Sequence, residues 1–239
     1  MAEYAILMAA GMGTRLRPYT ADTPKPLLKV GELALIETVI RALHRRGVKE
    51  LFIVTGYLGD QFRVLQEKYD GITILKNTVF ETVNNISSVY VAREVLKKGS
   101  CFICEADLLV TDEELLCADL KNSCYFGRFE KGFSDDWIFE QDANGIITRV
   151  GKNGTDVYNM AGISYWTAEE AKHLSECIEK EYGADGYEDL FWDDVVNMHI
   201  SEFALTVHPV TREQITEIDT VAEYEEACRA AGARFGGEG

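Results

Sequence analysis

Six consecutive apolar residues, Tyr4-Ala-Ile-Leu-Met-Ala9, lead straight into the glycine-bearing loop Ala10-Gly-Met-Gly-Thr-Arg-Leu-Arg-Pro18. A run that is apolar at every position has no face suited to water. It therefore predicts a strand buried on both sides, as in a parallel sheet covered by helices. The next segments keep that rhythm. Leu35 to Arg46 has helical spacing and stops at Gly47, a residue that ends helices readily. Glu50-Leu-Phe-Ile-Val-Thr55 reads as a second buried strand ending at Gly56, and Ile72 to Leu75 as a third. Asn84 or Asn85 is placed to cap a helix through Val89 to Leu96, and Cys101 to Cys104 is a fourth strand ending at Glu105-Ala106-Asp107. Strands alternating with helices predict right-handed βαβ units, hence an α/β fold with a mostly parallel sheet flanked by helices.

The rhythm changes after about residue 120. Tyr125 to Phe129, Trp137 to Gln141 and Ile146 to Val150 read as short antiparallel strands, with Asn144-Gly145 as a hairpin turn. Tyr158 to Trp166 follows as another strand, then a helix from Ala168 to Tyr182, a helix starting near Asp189, and a last helix from Val221 to Ala231. The tail Gly236-Gly-Glu-Gly239 reads as a frayed end or the start of a linker. A chain of 239 residues sits at the upper end of one domain.

The formal net charge of −16 argues against a polynucleotide partner, which selects a basic face. The first 30 residues run the other way: Arg15, Arg17, Lys25 and Lys29 stand against Glu3 and Asp22. A phosphate-bearing small molecule fits there, and a cationic group fits the acidic stretch Glu179 to Asp194. Six cysteines include one CxxC, Cys101 to Cys104, but it lies within a strand, whose alternation sends the two thiols to opposite faces. Without a second CxxC they read as buried free thiols rather than a zinc site. The sequence shows neither a basic-then-apolar leader nor an 18-residue apolar run, so no membrane is expected and the cytoplasm is the expected compartment.

Glycines directly after a first strand let backbone N–H groups come close to a polyphosphate. Ala9, Ala10, Gly11, Gly13 and Thr14 are placed to do this. Arg15 can fork onto the β- and γ-phosphates, and Lys25, held between Pro24 and Pro26, offers a point charge to the α-phosphate. A dinucleotide fingerprint is excluded because Leu16 stands where its third glycine belongs, and no Gly-Lys-Ser/Thr exists for a P-loop.

With Gly11-Met-Gly-Thr-Arg-Leu-Arg-Pro18, Thr20 and Pro24-Lys-Pro-Leu27 through Val30 in hand, the chain resembles the nucleotidyltransferases that make nucleotide-activated sugars and alcohols. Their signature runs GxGTRLxPxTxxxPKPLxxV. More narrowly, residues 4 to about 230 resemble bacterial CTP:phosphocholine cytidylyltransferases, through Gly56-Tyr57, Asn84-Asn85 to Ser88-Val-Tyr90, Ala106-Asp107, Trp137, Asp189-Leu-Phe-Trp-Asp193 and Glu217-Ile-Asp219. The resemblance implies a Rossmann-like mixed sheet with a smaller antiparallel acceptor-binding lobe, in a single domain over 1–235. In that domain about 1–120 would be the nucleotide-binding half, about 121–220 the acceptor-binding half, and 221–235 a C-terminal helix. It implies CTP and phosphocholine as substrates, giving CDP-choline and pyrophosphate, with Mg2+ as cofactor. Lys25, Arg15 and Asp107 would be catalytic, and Asp107 and Asp219 would hold the metal. The nucleotide would also meet Gly56, Asn85, Ser88, Glu105 and Ala106, and the acceptor Trp137, Tyr187, Asp189, Phe191, Trp192 and Glu217. Glu105-Ala106-Asp107 stands where many sugar-nucleotide relatives have Gly-Asp, which weakens a hexose-phosphate reading. Other acceptors in play are 2-aminoethylphosphonate, phosphoethanolamine and a sugar 1-phosphate, and a non-catalytic nucleotide sensor is the rival from another class. Helix capping competes for Asn84, Asn85 and Asp219, core packing for the aromatics, and a surface position with acceptor-phosphate contact for Lys152.

Overall fold

In the computed structural model of the chain, which describes residues 2–235, the opening apolar run becomes the strand from which the sheet is built outward. Along the chain come β1 (Glu3–Ala9), β2 (Lys29–Val30), β3 (Leu33–Ala34), α1 (Leu35–Arg46), β4 (Glu50–Thr55), α2 (Arg63–Lys68), β5 (Ile72–Lys76), α3 (Ile86–Val91), α4 (Arg93–Leu96), β6 (Ser100–Glu105) and β7 (Leu108–Val110). They are followed by β8 (Cys124–Gln141), β9 (Ile147–Trp166), α5 (Ala168–Glu181), α6 (Trp192–Met198), β10 (Thr206–Pro209), β11 (Ile215–Glu217) and α7 (Val221–Phe235). The seven-stranded sheet has the order β10-β8-β9-β6-β1-β4-β5. β5, β4, β1 and β6 run parallel; β9 turns antiparallel to β6, and β8 to β9. Two small antiparallel pairs, β2 with β3 and β7 with β11, sit outside it.

Burial explains this order. Ala5, Leu7 and Ala9 face one apolar cluster while Ile6 faces the other, so β1 is covered on both sides. α1 contributes Ile36, Val39, Ile40 and Leu43 to the first cluster. It stops at Gly47, whose φ of 99° is left-handed and whose N–H donates to His44. Cys101 and Cys104 fall in opposite clusters, as strand alternation requires, and all six cysteines are free. Among the described residues, no helix is long and apolar enough to cross a membrane.

The second half departs from the expected short strands. β8 and β9 are long and bulged, and they fold over so that Ile138 pairs with both Gly151 and Asn159. The turn between them uses Gly145 at φ 81°, with the Asp142 carboxylate accepting from the N–H groups of Asn144 and Ile146. Three helix boundaries also differ from expectation. The helix expected through Val89 to Leu96 is broken at Ala92 into α3 and α4; α6 begins at Trp192 rather than near Asp189; α7 continues past Ala231. The expected tail, Gly236–Gly239, lies outside the described residues.

Candidate active site

Parallel β1, β4 and β6 end side by side at Ala9, Thr55 and Glu105, and the carboxyl edge of such a sheet is where open α/β folds bind ligands. The glycine loop leaves β1 there and is fixed from three sides. Thr20, fully buried, donates its hydroxyl to the Gly13 carbonyl at 2.8 Å. The backbone N–H of Tyr57 donates to Ala10 at 3.1 Å, and its phenol donates to Ala21 at 2.8 Å. Gly13 is required twice over: its φ of 58° is left-handed, and a Cβ there would stand 2.9 Å from the Cβ of Lys25. The loop, Lys25, Asn85, Ser88, Glu105, Asp107 and Glu217 enclose a cavity of about 360 Å³.

The centre of that cavity is a network of charge. Lys25 is 6% exposed, and its Nζ lies 2.5 Å from Asp107 Oδ2 and 2.8 Å from Asp219 Oδ1. Burial alone would depress its pKa, but the two carboxylates outweigh that and hold the ammonium above the usual lysine range. Arg15 reaches the same Asp219 oxygen at 2.8 Å. Burial works against ionisation of Asp219, yet the Lys25 contact, with Arg15 beyond it, holds its carboxyl below the usual range.

The expected metal pair was Asp107 and Asp219. The structure gives Asp107 different companions: oxygens of Glu105, Asp107 and Glu217 all lie within 4.8 Å of one another. Burial, and then the charges of Asp107 and Asp219, push Glu217 up to about 8. Glu105 is also raised, by burial first and then by Glu217 and Asp107. Three oxygen donors crowded in this way fit a hard divalent cation. β11 supplies Glu217 through its pairing with Leu108 of β7, one residue past Asp107. The capping alternative for Asp219 is set aside, because Thr220 accepts from the Glu223 N–H while Glu223 accepts from the N–H groups of Asp219 and Thr220.

Asn85 and Ser88 line the cavity as expected, and Asn85 stands at the N-cap position of α3 without a side-chain capping hydrogen bond. The Asn85 side-chain oxygen accepts from the N–H of Trp192 at 2.9 Å, and the Asn84 side-chain amide donates to the Asp189 backbone carbonyl at 3.1 Å. Buried Asn77 donates to the hydroxyls of Ser87 and Ser88.

The expected acceptor residues divide. Glu217 lines the main cavity, and Trp192 lines a small neighbouring one with Tyr125 and Asp193; Met8 and Glu105 belong to both walls. Trp137, Tyr187, Asp189 and Phe191 line neither. Trp137 and Phe191 meet edge to face at 5.4 Å, and the Lys152 ammonium lies 5.8 Å over the Trp137 ring. Tyr187 packs against Tyr182. Trp192 is 3% exposed and packs between Tyr125 and Trp166, because α6 begins with its side chain turned inward, and its indole N–H has no partner.

Sequence reasoning missed Thr20, Asn77, Tyr125 and Asp193. The Tyr125 hydroxyl donates to Asp193 at 2.9 Å, and burial raises the Asp193 carboxyl to about 7. Thr20 stands within the loop signature and Asp193 ends the Asp189–Asp193 motif, so both were findable; Asn77 and Tyr125 carry no local signal.

The nucleotidyl transferase family model matches residues 4–122. Over 219 residues the chain is 49% identical to a 2-aminoethylphosphonate cytidylyltransferase of Lancefieldella rimae, covering 92% of this chain and 89% of that one. It is 32% identical to a choline-phosphate cytidylyltransferase of Streptococcus pneumoniae, covering 92% and 94%. The solved CTP:phosphocholine cytidylyltransferase of Streptococcus pneumoniae superposes with a TM-score of 0.88 at 31% identity, over 96% of this chain and 99% of that one. A UDP-glucose pyrophosphorylase of Acinetobacter baumanii, at 14% identity and a TM-score of 0.73 over 98% and 94%, shares the fold.

Proposed function

We propose, given that the chain belongs to the nucleotidyl transferase family, that it is a cytidylyltransferase moving CMP from CTP onto 2-aminoethylphosphonate, with release of pyrophosphate. The observation that carries the acceptor choice is that no aromatic ring lines the main cavity among the described residues, whereas carboxylates do. A quaternary ammonium is held by aromatic faces, but a primary ammonium needs oxygen acceptors to replace its water. Asp193, in the wall of the small adjoining cavity, is such an acceptor. The Trp137 face expected to meet trimethylammonium already has Lys152 over it. The higher identity to the 2-aminoethylphosphonate enzyme supports the same choice. Phosphocholine is the second reading, favoured by the Trp137–Phe191 pair and by the superposition on the phosphocholine enzyme.

In the reaction a phosphonate oxygen attacks the α-phosphorus of CTP, a new P–O bond forms, and the bond to the bridging β-phosphate oxygen breaks. The attacking group is anionic near neutral pH, so no general base is needed. Lys25 donates to the α-phosphate oxygens as charge shifts among them, and the loop N–H groups and Arg15 hold the β- and γ-phosphates. Asp219 orients both Lys25 and Arg15 through its paired contacts. Glu105, Asp107 and Glu217 would hold magnesium, which when bound neutralises phosphate charge. The main loop and the Asn84–Asn85 segment would enclose the nucleotide.

Pyrophosphate release measured for four nucleotides against 2-aminoethylphosphonate, phosphocholine and phosphoethanolamine tests this. The expectation is CTP dependence and a preference for 2-aminoethylphosphonate over phosphocholine of about tenfold or more in kcat/KM. The reverse preference moves the assignment to the quaternary amine.

A further inference from the structure

A second cluster of ligand-bearing side chains lies apart from the cleft and shares no residue with it. His173 and Cys177 are four residues apart on α5, so they stack on one face of the helix. Glu202 reaches them from the turn that follows α6. The His173 Nε2 lies 2.8 Å from Glu202 Oε2 and 3.8 Å from Cys177 Sγ, and all three ligand atoms lie within 4.8 Å of one another. A tetrahedral zinc ion with ordinary bond lengths has nitrogen–oxygen and nitrogen–sulfur edges of about 3.3 and 3.6 Å. The sulfur edge is already close to that size, and the oxygen edge opens by about half an ångström.

The groups around the cluster are arranged as outer partners of a metal site. The second oxygen of Glu202 is 2.8 Å from His199 Nδ1, and His199 Nε2 is in turn 2.9 Å from Glu181. His199 is itself buried, so this chain fixes the direction in which Glu202 points. On the other flank, His173 Nδ1 faces Glu176 at 3.6 Å, an acceptor for the ring proton once a bound cation takes the place of the proton on Nε2. An ion pair between His173 and Glu202 needs none of this, and it does not need a thiol aimed at the same nitrogen.

We propose that His173, Cys177 and Glu202 form a binding site for one zinc-class divalent cation, with water in the fourth position. Thiolate and imidazole select this class over magnesium. Binding transfers the Cys177 proton to solvent, and thiolate and carboxylate together balance the cation's charge. The half-exposed His173 and Glu202 leave the route to solvent open. The ion ties α5 to the turn after α6, so it acts on stability rather than on the transfer reaction.

The test uses Co2+ as a spectroscopic probe on the full chain, in excess Mg2+ to occupy the cleft carboxylates. The expected result is one equivalent bound, with sulfur-to-metal charge-transfer absorption that Zn2+ abolishes by displacement. Cys177→Ser should remove the band and Asp107→Asn should leave it, which separates this site from the cleft. His173→Ala, a change at a partly exposed residue, should weaken binding and remove the rise in melting temperature given by Zn2+. It carries the test if the buried Cys177→Ser does not fold. His199→Gln should weaken affinity by about 10- to 100-fold. A sulfur band absent at one equivalent, or surviving in Cys177→Ser, or unaffected by His173→Ala, overturns the proposal.

Discussion

The side-chain oxygen of Asn85 accepts a hydrogen bond from the backbone N–H of Trp192, 107 positions further along the chain. One end of this contact lines the cleft, and the other begins α6, the helix that carries Trp192 and Asp193 into the core. The Asn84–Asn85 segment and the start of α6 are therefore tied together, by this contact and by the Asn84 amide on the Asp189 carbonyl.

Removing the Asn85 amide should affect both substrates. Asn85→Ala leaves the Trp192 N–H without its partner, at a cost of about 1–3 kcal/mol. KM for CTP and for the acceptor should both rise by about three- to tenfold. Asn85→Asp keeps the accepting oxygen and should restore the acceptor KM more fully than the CTP KM. Steady-state kinetics on both variants checks this, and a loss of thermal stability with unchanged KM values would reduce Asn85 to a structural tie.

Lys25→Ala should lower kcat by two or more orders of magnitude, through loss of about 3 kcal/mol of transition-state stabilisation. Gly13→Ala should mimic part of this without touching the lysine, because its Cβ would press on that of Lys25. Single-turnover rates measure both. A Lys25→Ala enzyme that keeps more than about a tenth of the wild-type rate would remove the lysine from the chemistry.

Magnesium titration separates the carboxylates. Asp107→Asn and Glu217→Gln should each move the Mg2+ midpoint upward by about tenfold or more, since a neutral amide lacks the charge a hard cation needs. Asp219→Asn should chiefly lower kcat at saturating Mg2+, because its carboxylate holds Lys25 and Arg15. If Asp219→Asn shifts the midpoint as far as Asp107→Asn does, Asp219 joins the ligands.

Asp193 gives a pH dependence of stability. Its folded value, about 7, lies above the ordinary aspartate value, so the folded state binds the proton more tightly than the unfolded state does. That contribution is full below about pH 4 and is lost as pH rises to about 7. Asp193→Asn can still accept from Tyr125 and cannot ionise. It should be more stable than wild type above pH 7 by an amount on the order of a few kcal/mol, with the gap closing on acidification. Parallel denaturant melts from pH 5 to 8 would expose the claim as wrong if the two curves track each other.

The first half of the chain was legible because its signals are local. Uninterrupted apolar runs marked β1, β4 and β6, and Gly47 marked the end of α1 at the residue where the helix stops. The loop signature likewise placed Gly13, Arg15 and Lys25 around one cavity. The second half was harder because β8 and β9 are set by long-range pairing. Their bulges break the alternation, and exposed charged residues in the ribbon look like ends of strands. Glu217 and Asp219 are two residues apart, and only the register of β11 on β7 shows which one is turned toward Glu105 and Asp107. The direction of Trp192 was illegible for a related reason: it depends on where α6 begins, which Asn85 helps to fix from a distance.

The pairing of β11 with β7 also sets an order in time. During synthesis the glycine loop, Lys25 and Asp107 emerge first, and the ribosome must add more than 100 further residues before Glu217 and Asp219 appear. Until then Lys25 lacks one of its two carboxylate partners, and the Glu105–Asp107 edge lacks its third oxygen donor. A chain released before Ile215 thus carries the glycine loop and Lys25 without Glu217 and Asp219.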